Sequence, residues 1–135
     1  MLTLRTNGTE TTIANLDRFY THAQKELAIA MGEVVKKIYF TAHYLVPVDT
    51  GKLMASLWGN VGRRRVWVEG FVGAKARYAI YVERGTSRTP AQPFLWPAVQ
   101  QNQAFIYEKL GKSIHGAIQA TARDAKLGAV IYGRM

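Results

Sequence analysis

The chain has 135 residues, 48% hydrophobic and 20% charged, the composition of one globular domain with its own core rather than of a disordered chain. It contains no cysteine, which excludes disulfide frameworks and thiolate metal sites. Lysine and arginine number 18 against 9 acidic residues, a formal charge of +9; such a field favours DNA or an acidic protein partner, and serves solubility equally well.

No stretch approaches the ~18 consecutive apolar residues that a membrane span requires. The opening MLTLRTNGTETT has no apolar h-region, so a secretory signal is not expected and the protein reads as soluble and made in the cytoplasm. Residues 1–12 read as a polar arm. Ile13, Leu16, Tyr20, Ala23, Leu27, Ala30, Val34, Ile38, Ala42 and Leu45 then recur every three or four positions, which predicts a helix with one apolar stripe. Lys25, Glu33 and Lys36 fall between them as a wet face. If continuous, that helix is ~50 Å long, whereas a domain of this size has a radius of gyration near ~14 Å. It must cross the domain, project from it, or break near Gly32. Val46-Pro47 ends it, because a residue before proline is pushed out of helical conformation.

Asp49-Thr50-Gly51 predicts a turn, and a short apolar segment runs from Leu53 to Trp58. Asp49 or Thr50 is placed to cap a short helix beginning near Lys52. Val66, Val68, Gly70 and Val72 alternate with Trp67, Glu69 and Phe71, which is strand periodicity. Residues 56–61 are its expected hairpin partner, across a turn at Gly62 to Arg64. Tyr78 to Val82 is apolar but too short for periodicity to decide between strand and helix. Residues 87–97 hold three of the four prolines and are expected to be irregular. A second long helix is predicted from Pro97 to Ala125, with Val99, Ile106, Leu110, Ile114, Ala117 and Thr121 facing inward and Gly128 as its stop. Residues 13–128 therefore form a single α+β domain, two long helices packed on a small central antiparallel sheet, with 129–135 as a tail.

Catalytic patterns are present only in fragments. Asp49-Thr50-Gly51 matches the catalytic loop of aspartic proteases, and the late string AVIYGR mimics its supporting apolar-apolar-glycine. That chemistry needs two such aspartates sharing a proton, so this chain would have to dimerise. Pro47 would sit inside a central strand, where it removes a ladder hydrogen bond, and Lys52 stands where a small residue normally follows the glycine. Gly111-Lys112-Ser113 resembles the end of a phosphate loop, but Ile106 occupies the position of the required first glycine. His22, His43 and His115 have no metal-ligand spacing. No catalytic residue, cofactor or metal is expected.

Three segments in order resemble a known family: VPVDTGKLMASL at 46–57, YAIYVERGT at 78–86 and PAQPFLWPAV at 90–99. They are similar to the neck and tail-completion proteins of long-tailed double-stranded DNA phages, related to the lambdoid minor tail protein Z. There a long N-terminal helix runs into Pro-x-Asp-Thr-Gly-x-Leu and Ser, here Pro47, Asp49, Thr50, Gly51, Leu53 and Ser56. Tyr-Ala and Glu-x-Gly-Thr follow, here Tyr78, Ala79, Glu83, Gly85 and Thr86. Pro-Phe-x-x-Pro-Ala, here Pro93, Phe94, Pro97 and Ala98, opens the last helix. Trp96, where a basic or small residue is common, and the triple arginine at 63–65 depart from the pattern.

The resemblance implies a non-enzymatic virion protein, assembled in the host cytoplasm, that completes the tail and helps join it to the head. Its implied partners are copies of itself in a ring or partial ring, sixfold by the symmetry of such tails. Tail terminator or tail tube and head connector proteins are further partners, with no membrane contact. Within that frame Tyr78, Tyr81, Phe94 and Trp96 are aromatics for core or subunit contact, and Glu83 either pairs with an arginine or caps backbone amides. Arg63, Arg64 and Arg65, with Lys75 and Arg77, are candidates to contact packaged DNA or an acidic neighbour. Either the polar arm or the long first helix is expected to order only on assembly. Two other readings compete: a free basic DNA-binding protein outside the virion, and an aspartic-type protease using Asp49.

Overall fold

The structure, a computed structural model, describes residues 8–65 and 67–132. In chain order it has α1 (Thr9–Leu45), α2 (Lys52–Ala55), β1 (Leu57–Arg63), β2 (Val68–Ala74), α3 (Ala79–Arg84), α4 (Leu95–Gln101) and α5 (Gln103–Tyr132). This is the expected α+β class. The sheet is central in sequence, but α1 is central in space: the hairpin, α4 and α5 all pack against it.

Helix α1 is continuous for 37 residues, about 55 Å at the rise of an α-helix, and Gly32 does not break it. Tertiary contacts along its length outweigh the modest propensity cost of one glycine. It stops where expected, with Val46 extended at φ −62°, ψ 129° and donating its last helical N–H to Ala42. Helix α5 runs antiparallel alongside. His22 meets Asp124 at 2.9 Å, Glu33 pairs with Lys109, and Asn102 donates to the Thr41 hydroxyl at 2.9 Å.

The strands pair antiparallel from Leu57↔Ala74 to Arg63↔Val68. Their inner face lies directly on α1, and two glycines make that approach possible. A Cβ on Gly70 would sit 2.7 Å from Val35 Cγ2, and one on Gly59 would sit 2.9 Å from Val35 Cγ1, closer than atoms tolerate. Gln24 of α1 donates to the carbonyls of Arg64 and Arg65 at 3.0 and 2.7 Å, so the hairpin tip is tied to the helix. The main core joins Val34, Ile38, Ala42 and Val46 of the α1 side to Leu53, Leu57, Ala79, Phe94 and Ala98. Phe94 is its largest fully buried side chain.

Several expectations change. Helix α1 begins at Thr9, inside the supposed arm, and α5 passes Gly128 into the supposed tail; residues 1–7 and 133–135 lie outside the described residues. The hairpin turn lies past Gly62, which stays in the ladder opposite Glu69; the Arg64 N–H donates to the Trp67 carbonyl at 2.9 Å, and Val66, expected in the strand, lies outside the described residues. Tyr78 to Val82 lies in and beside helix α3. The last helix starts at Leu95 and is interrupted at Asn102, whose side chain donates to Ala98 O at 2.7 Å as well as to Thr41. The inward face of α5 uses Ser113 and Ala117, while Ile114 is exposed. On α1 the stripe is buried at Ala30, Val34, Ile38 and Ala42 and half-buried at Leu45, but Ile13 and Leu16 are each 60% exposed and Tyr20 is 40% exposed. The hairpin ends near Gln24, so among the described residues α5 is the element beside the first turns of α1.

Phe94→Ala should therefore cost about 3–5 kcal/mol, and Leu16→Ala less than about 0.5 kcal/mol as a surface change. Urea denaturation of the two variants measures both. A loss at Leu16 equal to that at Phe94 would put the start of the stripe in the core of the isolated subunit.

Candidate functional site

The three motif segments meet at one end of the molecule. Each contributes to the same core: Val46, Leu53 and Leu57 from the first, Ala79 from the second, Phe94 and Ala98 from the third. The Gln92 N–H donates to Val82 O at 2.8 Å, joining the second segment to the third. Ser56 joins the first to the hairpin, its carbonyl accepting from Lys75 N at 3.0 Å, and its hydroxyl donates to Leu53 O at 2.8 Å.

Glu83 is the main fastener. Its Oε2 accepts the N–H groups of Phe94 at 2.8 Å and Leu95 at 3.0 Å, and its Oε1 accepts that of Trp96 at 2.8 Å. These are the orphan donors at the start of α4, and a carboxylate there is also favoured by the helix dipole. Of the two roles expected for Glu83, the structure places it on backbone amides. Gly85 follows at φ 75°, where a Cβ would come within 2.7 Å of the Ala91 nitrogen; only glycine fits. The Thr86 hydroxyl accepts from the N–H groups of Arg88 and Thr89, and Thr86 N donates to Thr89 O at 2.8 Å. This closes the loop that carries Pro90.

Asp49 and Thr50 do not cap α2. Gly51 occupies the cap position at φ 75° with no side-chain bond, so the turn is made by backbone geometry. Both side chains are exposed, at the mouth of a cavity of about 430 Å³ whose lining includes Pro47, Lys52, Leu53, Tyr78, Val82 and Gln92. A second cavity of about 180 Å³ shares Tyr78, Val82 and Gln92 and continues to Tyr81, Thr86 and Pro90. Together they form a groove across all three segments. Phe94 belongs to the core, but Tyr78, Tyr81 and Trp96 are 44%, 61% and 62% exposed. Pro93 is exposed and Pro97 half-buried.

The basic residues divide. Arg63, Arg64 and Arg65 are exposed at the hairpin tip, with Arg64 Nε 3.5 Å from Glu69 Oε1. Lys75 and Arg77 follow the far end of β2, six ladder positions away, roughly 20 Å at the rise of a strand. They are therefore not part of the tip, and Arg77 directly precedes Tyr78 of the groove lining. The histidines are apart: His22 on Asp124, His115 beside Gln119 at 3.0 Å, and His43 near the Tyr39 ring. Among the described residues, no group of three His, Asp or Glu side chains is placed to hold a metal.

No family model, curated protein or solved structure matches this chain.

Val82 and Gln92 were not singled out from sequence as lining residues. They lie within or next to the quoted segments, but short apolar runs and lone glutamines carry no signal of facing a groove. The His22–Asp124 pair, 102 positions apart, had no sequence signal either. Glu83→Ala strands three amides at a partly buried helix start and should lower stability by about 1–3 kcal/mol. Arg84→Ala should change it by less than about 0.5 kcal/mol. Equal losses in thermal melts of the two variants would restore the arginine-pair role.

Proposed function

We propose that this chain is a non-enzymatic assembly subunit of the neck of a long-tailed double-stranded DNA phage, completing the tail and helping to join it to the head. The observation that carries the reading is the use to which the motif residues are put. Glu83, Gly85, Thr86 and Ser56 are spent on backbone geometry, and what they shape is a solvent-facing groove flanked by exposed aromatics. Aromatic residues at a partly apolar surface are typical anchors of protein contact. Copies repeating one heterologous contact close into a ring, here around the DNA path and sixfold by the symmetry of such tails. Tail terminator or tail tube and head connector proteins would stand above and below.

The protease alternative fits the groove poorly. Asp49 shares its lining with Lys52, Thr50 and Tyr78, whereas aspartic chemistry needs a second carboxylate against the first. If Asp49 were nonetheless catalytic, Asp49→Asn would abolish cleavage of a substrate while leaving the fold intact. A free DNA-binding role has one observation in its favour, the three arginines on a hairpin tip tied down by Gln24. In the neck reading the same tip faces packaged DNA or an acidic neighbour.

Micrographs of particles made without this protein test the main reading. Unjoined heads beside finished-looking tails are expected, and normal virions would end it. Filter binding at two salt concentrations tests the tip. If it meets DNA, Arg63→Ala with Arg65→Ala should weaken binding and reduce the slope of log affinity against log salt by about two. Hydrogen exchange on free and assembled subunit tests the ordering of α1. The amides near Ile13, Leu16 and Tyr20 should slow on assembly, and equal rates would reject it.

A further inference from the structure

We infer that the outer face of the hairpin binds single-stranded nucleic acid, with bases stacked on its aromatic rings and phosphates held by the arginines of its tip. The inner face is identified by Gly59 and Gly70, which lie against Val35 of α1. Alternation along a strand then turns Trp58, Asn60, Gly62, Glu69, Phe71 and Gly73 the other way. Two contacts agree: a Cβ on Gly73 would lie 3.2 Å from Trp58 Nε1, and one on Gly62 would lie 2.9 Å from Glu69 Cγ. The Trp58 indole therefore lies across the bare backbone of Gly73. Phe71 is diagonal to Trp58 in the ladder, and Trp67 follows near the turn. All three rings are exposed.

The charge around this face is one-sided. Arg63, Arg64 and Arg65 stand exposed at the tip, and Lys36 of α1 shares a surface hollow with Trp58 at the other end. The acid on the face is Glu69, which lies 3.5 Å from Arg64. Among the described residues Arg63, Arg65 and Lys36 enter no ion pair. Rings and cations together suit the two halves of a nucleotide, because aromatic planes stack on bases of any sequence and neighbouring cations track the phosphates. From Trp58 to Arg63 the ladder runs five positions, roughly 17 Å, so one short strand meets both. A duplex keeps its bases stacked on one another and meets the arginines alone. For an acidic polypeptide, aliphatic side chains of similar size would serve as well as the rings. The inference goes beyond the neck reading and does not depend on it.

Fluorescence anisotropy with the full-length chain tests this. Labelled oligothymidylate and oligouridylate of about 15 nucleotides are run in parallel, and binding of either supports the inference. The bound strand should hold more tightly than a duplex of the same length. Phe71→Leu and Trp67→Leu keep an apolar side chain but remove the ring, and each should weaken binding about fivefold or more. Arg63→Ala with Arg65→Ala should flatten the slope of log affinity against log salt by about 1.4. Trp96→Ala at the motif end should leave binding intact. Both ring positions are exposed, so melting temperatures should not change; if Phe71→Leu fails to fold, Trp67→Leu decides alone. No binding at low salt, or a duplex bound as tightly as the strand, would overturn the inference. So would wild-type affinity in the leucine variants, or polyglutamate displacing the strand as well as unlabelled strand does.

Discussion

The carboxylate of Glu83 holds three backbone N–H groups that lie eleven to thirteen residues further along the chain. A helix start partly buried against a core leaves its first amides short of water, and this one has no capping side chain of its own. The capping group comes from α3 instead, so α3 and the start of α4 are locked at one relative position. Phe94 is the residue between the loop and α4, and fixing its N–H helps set its ring into the core. Gly85 and Thr86 then turn the chain sharply enough for Ala91 and Gln92 to come back against α3. The groove is the outer side of this arrangement. Behind one wall the backbone is held by hydrogen bonds, from Gln92 N to Val82 O and from Thr86 N to Thr89 O.

The same economy of contact does not extend along the whole of α1. From Ala30 to Val46 the helix is covered by the hairpin, α4 and α5, and the glycines at 59 and 70 let the sheet sit against it without side chains between. Nearer the N-terminus the apolar stripe continues with the same spacing, but the hairpin ends and α5 is the remaining neighbour among the described residues. An exposed helix of this kind draws little stability from its own propensity, so packing by α5 and the His22–Asp124 contact carry most of what holds it. The stripe residues left open there are where a neighbouring subunit would add the most apolar burial.

Which parts of this were legible in sequence follows from how local each cause is. The stripe of α1 and its stop at Pro47 depend on side-chain period and on one steric clash, and both could be read directly. How much of the stripe is covered depends on where the hairpin ends, which no spacing reveals. Strand alternation gave the correct faces of β2, but Gly62 looked like a turn and is instead a ladder residue, with the turn two positions later. The break at Asn102 has no glycine or proline to announce it. It comes from a side-chain amide that bonds Ala98 and reaches across to Thr41, a competition with the backbone that requires the tertiary neighbour to be in place. Asp49 looked like a cap by residue type, yet Gly51 took the cap position through its left-handed backbone. The motif residues were recognisable as a set, while the groove they build was not, because it is bounded by segments some forty positions apart.

The net charge of +9 is the feature that sequence states most plainly and explains least. In space it resolves into two surfaces with different surroundings. At the hairpin tip Arg63, Arg64 and Arg65 are exposed, with Glu69 as the acid 3.5 Å from Arg64. At the motif end Lys52 shares the cavity lining with Asp49, so a base and an acid stand in one place. A phosphate backbone presents charge at regular intervals and little else, so by charge alone it would favour the tip over that mixed lining. A net charge adds the two surroundings together and therefore separates neither.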